Sequence, residues 1–140
     1  MKIGKGVFYI LSFTWGILMT VIGLIAAAAL LVTGHKANKY GWCWHIEVGS
    51  SDNGVNLGLV FITGSCASTH TKNHECGHAV QNCIWGVLFP FVIAIPSLTR
   101  FWDRKRRQKR GEVLEPYDSV WYEAQASDWG NKLINSLDGE

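Results

Sequence analysis

His74-Glu75-Cys76-Gly77-His78 sets two imidazoles four positions apart with a carboxylate between them. A helix turns about 100° per residue, so positions i and i+4 share a face and both rings can converge on one metal ion. Glu75, one step round from His74, then reaches a water held at that ion and can take its proton. The implied chemistry is metal-assisted hydrolysis, with His74 and His78 as ligands and Glu75 as general base. Gln81, three residues past His78, adds a polar group to the same face. His70 lies four residues before His74, but three histidines in straight i+4 succession cannot all reach one ion, so it reads as an exposed first-turn residue. Cys76, two residues past His74, points away from the metal face.

A third ligand has to come from another element. Residues 118–137 read as a helix with Asp118 as its cap and Val120, Trp121, Ala124, Leu133, Ile134 and Leu137 among its apolar positions. Within it Glu123 is followed by Ala126, Ser127 and Gly130 at i+3, i+4 and i+7. Small residues on that face let a second helix approach closely, and Gly77 inside the motif is small too. Glu123 is therefore the expected third ligand.

The elements that must position these groups begin with an uncharged apolar run over residues 7–33, preceded by Lys2 and Lys5. As one helix it reaches about 40 Å, enough to span a bilayer with some tilt. A cleaved signal with Ala26 to Ala29 as its small-residue site is the alternative, but the run continues through Leu30, Leu31 and Val32, so a retained anchor over 1–34 is expected. Residues 35–140 then form a minimal domain. Residues 42–48 alternate, with Trp42, Trp44, Ile46 and Val48 on one face and Cys43, His45 and Glu47 on the other. With Asn53-Gly54 as the turn, residues 42–63 read as a β-hairpin whose second strand covers 55–63. Two strands cannot stand alone and must pack on a helix or on the bilayer surface. Ser68 or Thr69 caps the metal helix, 70–85, which stops near Gly86.

Residues 84–98 are apolar but carry Pro90 and Pro96. Such a segment is short for a span and reads as re-entrant or interfacial. A basic run over 100–110 follows, from Arg100 to Arg110, although the net charge of the chain is only +2. It marks a cytoplasmic side and suits anionic lipid head groups. Nucleic acid is not expected, because only Phe101 and Trp102 adjoin the run. The four cysteines have no C-x-x-C spacing, and a bridge between Cys43 and Cys66 is open only to an extracytoplasmic domain.

These residues resemble the zincin peptidases, in particular the gluzincin pattern of HExxH with a glutamate on a later helix. More closely, the chain is similar to a group of small uncharacterised bacterial and phage membrane-associated HExGH proteins. The shared landmarks are Thr71-Lys72-Asn73-His74-Glu75-Cys76-Gly77-His78-Ala79-Val80-Gln81-Asn82, then Ile95-Pro96-Ser97 with Arg100 and Trp102, then Tyr117-Asp118-Ser119-Val120-Trp121-Tyr122-Glu123-Ala124-Gln125-Ala126. The resemblance implies Zn2+ at His74 and His78 with Glu123 as ligand, Glu75 as catalytic base, and an α+β fold in a bacterial or phage-encoded inner membrane protein. It also implies that an edge strand of the hairpin binds a peptide substrate as an added strand. No fixed oxyanion donor is evident; Tyr117 and Tyr122 are the candidates, set against the ordinary role of tyrosine in a core.

Topology and chemistry constrain each other. If 84–98 crossed the bilayer, the HExGH helix and Glu123 would lie on opposite sides of about 30 Å of hydrocarbon and could not share an ion. The third ligand would then be His45, Glu47 or His70. If all three residues bind metal, the segment turns back, and positive-inside reasoning puts the site with the basic run on the cytoplasmic side and the N-terminus outside, against which Lys2 and Lys5 favour an inside N-terminus. Three functions follow: a membrane-anchored zinc metallopeptidase acting on a peptide or protein; a non-catalytic membrane protein with a structural zinc or polar network at the same residues; and a small membrane-active factor in which the motif is incidental.

Overall fold

A computed structural model describes residues 3–138, with the side chains of Asp118 and Asp138 left out. Lys2 and the proposed cap at the Asp118 side chain therefore lie outside what is described. The chain is α+β. Its described elements are α1 (Lys5–Phe13), α2 (Ile17–Val32), β1 (Ala37–Tyr40), β2 (Cys43–Glu47), β3 (Gly54–Leu57), β4 (Val60–Thr63), α3 (Thr69–Trp85), α4 (Ile95–Lys109) and α5 (Trp121–Asp138).

The apolar N-terminal run is not one helix. It breaks at Thr14-Trp15-Gly16, and α1 and α2 meet at 87°. The break is set by distant residues. Trp15 donates its indole N–H to the Ile84 carbonyl at 3.0 Å, and the Asn82 amide donates to the Gly16 carbonyl at 3.2 Å. A Cβ at Gly16 would collide with that amide. The Ser12 carbonyl, freed by the break, accepts the Thr20 hydroxyl at 2.6 Å. Among the described residues no single helix is long and apolar enough to cross a membrane; α1 with α2, and α3 with α4, reach that apolar length only as bent pairs. Phe8 of α1 is fully buried against Cys43, Phe61, Cys76 and Cys83, so the start of the chain fills the core under the metal helix.

The expected hairpin over 42–63 is replaced by a four-stranded sheet of order β1-β2-β4-β3. Two tight hairpins, β1–β2 and β3–β4, are joined by a parallel pairing of β2 with β4. Each hairpin turns on a glycine at positive φ, Gly41 at 59° and Gly58 at 73°, where a two-residue loop demands that backbone. Asn53-Gly54 is not a turn; Gly54 opens β3. The alternation in 42–48 also fails to sort inside from outside. Cys43, His45 and Ile46 are buried while Trp44 and Val48 are exposed, because α1 and α3 cover the Cys43 side.

Helix α3 starts where Ser68 accepts the Thr71 backbone N–H at 3.2 Å and ends at Gly86, φ 56°. Every residue from 73 to 83 is buried. Beyond it a 3-10 turn, Gly86–Leu88, and a π-helical turn, Pro90–Ala94, lead into α4. The axis reverses by 116° across this elbow, as the two prolines and the apolar length suggest. Pro96 sits in the first turn of α4, where its missing N–H has no partner to lose. The C-terminal helix begins at Trp121, a few residues later than the pattern suggests, after a 3-10 turn at Tyr117–Ser119.

Candidate metal centre

Helices α3 and α5 pack backbone to backbone. A Cβ on Gly77 would overlap the Ala126 carbonyl oxygen, and one on Gly130 would overlap the Asn73 carbonyl oxygen. This contact brings Glu123, fully buried on α5, against the two histidines of α3. Glu123 Oε2 lies 2.8 Å from His74 Nε2 and 3.4 Å from His78 Nε2. The three ligand atoms fall within 4.8 Å of one another, and the group can hold a metal ion.

The other nitrogen of each ring is fixed. His78 Nδ1 meets Gln81 Oε1 at 2.7 Å, while Gln81 Nε2 donates to the Tyr122 carbonyl at 2.8 Å and to Gln125 Oε1 at 3.0 Å. The two acceptors on the amide nitrogen orient it, so His78 Nδ1 must donate, which leaves Nε2 to hold either a proton shared with Glu123 or, in its place, a metal ion. His74 Nδ1 pairs with Ser127 Oγ at 2.8 Å. Such ties orient metal-binding imidazoles and raise their basicity. Two imidazole nitrogens and a carboxylate converging in a buried site call for a positive charge, carried by a proton or a metal ion. For Glu123 burial pushes the carboxyl up, but hydrogen bonds from His74 and His78 outweigh it and hold the group far below the usual carboxylate range. For His78 burial pulls the imidazole down, and the Glu123 hydrogen bond with the charges of Glu75 and Glu123 reverses this to a net rise.

Glu123 Oε1 is held from two further elements. Ser97 at the start of α4 donates its hydroxyl, and the Tyr117 hydroxyl reaches the same oxygen at 3.4 Å. Arg100, one turn past Ser97, donates to the carbonyls of Pro116 and Tyr117 at 3.2 and 2.9 Å and so pins the segment that carries Tyr117. Burial, then the charge of Glu123, pushes the Tyr117 phenol well above its usual range.

Glu75 is buried beside the cluster, and its Oε2 has no hydrogen-bond partner. Burial raises its carboxyl, against the pull of His78 and His74 and with help from Glu123. The carboxylate borders a cavity of about 450 Å³ between β3 and the elbow leading into α4. An orphaned buried carboxylate oxygen beside two imidazoles and a carboxylate is a donor set that a divalent transition metal with a water would complete. The residues fit such an ion.

The structure brings His74, Glu75, His78, Gln81, Tyr117 and Glu123 into one site. Tyr122 does not present its hydroxyl there; its carbonyl serves Gln81 and its ring packs near Met19, Phe89 and Ile93. His70 is exposed, with its ring 6.5 Å from that of His74. His45 is tied to Thr63 Oγ1 at 2.7 Å, and neither it nor Glu47 joins the cluster. Cys76 faces the Tyr40 carbonyl and Cys43. All four cysteines are free; Cys43 is buried and Cys66 exposed, so the bridge between them is absent. Sequence reasoning gave Ser97, Ser127 and Arg100 no hydrogen-bonding part in the site, although Ser97, as a polar residue after Pro96 in an apolar stretch, carried a signal. No family model, curated protein or solved structure matches the chain.

Proposed function

We propose that this chain is a membrane-anchored zinc metallopeptidase with Glu75 as its general base. The observation that carries the reading is the unpartnered, buried Glu75 Oε2 beside the convergent His74, His78 and Glu123, at the edge of a cavity large enough for a substrate side chain. Bound by those three residues, Zn2+ would supply a Lewis acid that polarises a peptide carbonyl and makes water acidic near neutral pH.

Glu75 takes the proton of the attacking water, for which its raised pKa and free oxygen suit it, and returns it to the leaving amine. Ser97 and Tyr117 hold Glu123 Oε1, so that Oε2 stays turned to the histidines. Tyr117 also lines the cleft, which makes its hydroxyl the group placed to hydrogen-bond a carbonyl oxygen that gains charge. Strand β3, at the end of the sheet, runs along the cavity and suits a substrate added as a further strand.

The membrane part of the reading rests on apolar surface. Ile25 and Val32 of α2, and Leu88, Phe91 and Ile95 of the elbow region, are all about half or more exposed. Packed together through Met19, Phe89 and Ile93, these two elements present an apolar face that water would not favour. Helix α2 is about 24 Å long, short of the roughly 30 Å of hydrocarbon, so it enters the bilayer with the elbow alongside. Arg106, Lys109 and Arg110 are exposed at the end of α4, suited to anionic lipid heads, and their charge supports a cytoplasmic side for the site.

Purified protein that has never met a chelator should hold about one zinc ion per chain, and Glu75→Gln should keep it while losing at least about a hundredfold in peptide hydrolysis. Absence of metal from such a preparation would overturn the proposal. A second reading is favoured by the 2.8 Å contact of His74 with Glu123, which makes the cluster a self-satisfied polar network. It requires that chelator leave the melting temperature unchanged and that no peptide be cleaved.

A further inference from the structure

The cleft at Glu75 has two unlike halves. The cavity of about 450 Å³ has Met19, Leu57, Phe89, Ile93 and Leu98 in its wall and reaches Glu75 and His78. A second cavity, of about 320 Å³, reaches Glu75 and His74 from the other side and is bordered by Asp52, His70, Arg104 and Lys105. Asn53, Gly54, Glu75, Phe101 and Tyr117 line both, so the two cavities adjoin at the candidate base. Gly54 packs closely there, since a Cβ on it would press on the Glu75 carboxylate and the Thr63 methyl.

The second half carries two cations, Arg104 and Lys105. Arg104 gives one nitrogen to the Glu115 carbonyl at 2.7 Å and lies over the Tyr117 ring, 5.2 Å from its centre. Lys105 lies over Phe101, 4.9 Å from the ring centre. Among the described residues neither forms an ion pair, whereas Arg100 and Arg107 both pair with Glu115. Asp52 and Glu75 are the acidic residues that border this half, and among the described residues neither forms an ion pair with Arg104 or Lys105. Cations held over aromatic rings at a concave wall are placed to receive a ligand carboxylate.

We propose that the cleft selects peptides with a bulky apolar side chain on one side of Glu75 and a carboxylate, held by Arg104 and Lys105, on the other. Placing the scissile bond between them rests on the peptidase reading above. The carboxylate belongs either to an Asp or Glu side chain or to a free C-terminus, and the two sources share this chemistry.

The test uses zinc-loaded Glu75→Gln protein and fluorescein-labelled hexapeptides with phenylalanine and a variable residue two positions apart, in both orders. The variable residue is aspartate or asparagine, and the C-terminus is free or amidated. At least one carboxylate, side-chain or terminal, should tighten binding about tenfold over its neutral counterpart, as one charge-assisted contact does. Replacing phenylalanine by alanine should weaken binding about tenfold whatever the charge. Arg104→Gln with Lys105→Gln should abolish the carboxylate advantage and leave the neutral peptide within about twofold. Lys105→Glu alone, which spares the Arg104 contact to Glu115, should also abolish that advantage. Equal affinity for acidic and neutral peptides, or equal loss of both in the variants, would overturn the proposal. Cleavage without charge preference removes this inference and leaves the peptidase standing; charge-selective binding by a protein without zinc or hydrolysis does the reverse.

Discussion

Helix α3 turns one stripe to the sheet and α1, and the opposite stripe to α5, and the two are built differently. Cys76, Ala79, Val80 and Cys83 meet Phe8, Leu59 and Phe61 through side-chain packing. His74, Gly77, His78 and Gln81 meet α5 through a glycine contact and a chain of hydrogen bonds ending at Gln125. The stripes are offset by two residues, about 200° around the helix. Burial is complete on both, yet only the first gains from it by removing apolar surface from water. The second buries charge, which is costly unless paired, and so must hold its groups in one arrangement. One face stabilises the helix, and the other depends on that stability.

This contrast can be broken in order of size. Phe8→Ala should cost about 3–5 kcal/mol in chemical denaturation, by the same amount with or without zinc, because it empties the packed face alone. A zinc-dependent loss would show that the faces are not separable. Zinc at about a thousandfold over its dissociation constant should add about 4 kcal/mol to the stability of the native protein. Glu123→Ala should remove that increment; its survival would place the ion elsewhere. Gln81→Leu should lower zinc affinity about 10- to 100-fold, read by competition with a chelating dye, since it frees the His78 ring without touching a ligand. An unchanged affinity would reduce Gln81 to packing.

The polar face was legible in the sequence because its information is local. The i+4 spacing of His74 and His78, and the small residues following Glu123, are helix-face patterns that survive whatever surrounds them. The elbow was legible from Pro90 and Pro96. The packed face was not. Whether residues 7–33 run straight depends on Asn82, Ile84 and Gly86, some seventy positions away. The sheet was misread because Asn53-Gly54 is the stronger written turn signal, while Gly41 and Gly58 hold the positive φ angles that the two hairpins use. Ser97 and Arg100 escaped for the same reason as the helix break. Their partners, Glu123 and the 116–117 carbonyls, are brought to them only by the reversal at the elbow.

The contact of Gly77 with Ala126, and of Gly130 with Asn73, bears on which ion the site would prefer. Two backbones in direct contact act as a mechanical stop, so the bite between the α3 imidazoles and the α5 carboxylate does not follow side-chain fluctuation. A pocket of fixed bite with two nitrogen donors and one carboxylate is poorly matched to calcium, which takes six to eight oxygens at about 2.3–2.6 Å, and to magnesium, which keeps its waters. Selection by ionic radius would thus rest on the glycines as well as on the histidines, and loosening either glycine should blunt discrimination among divalent ions before it abolishes binding.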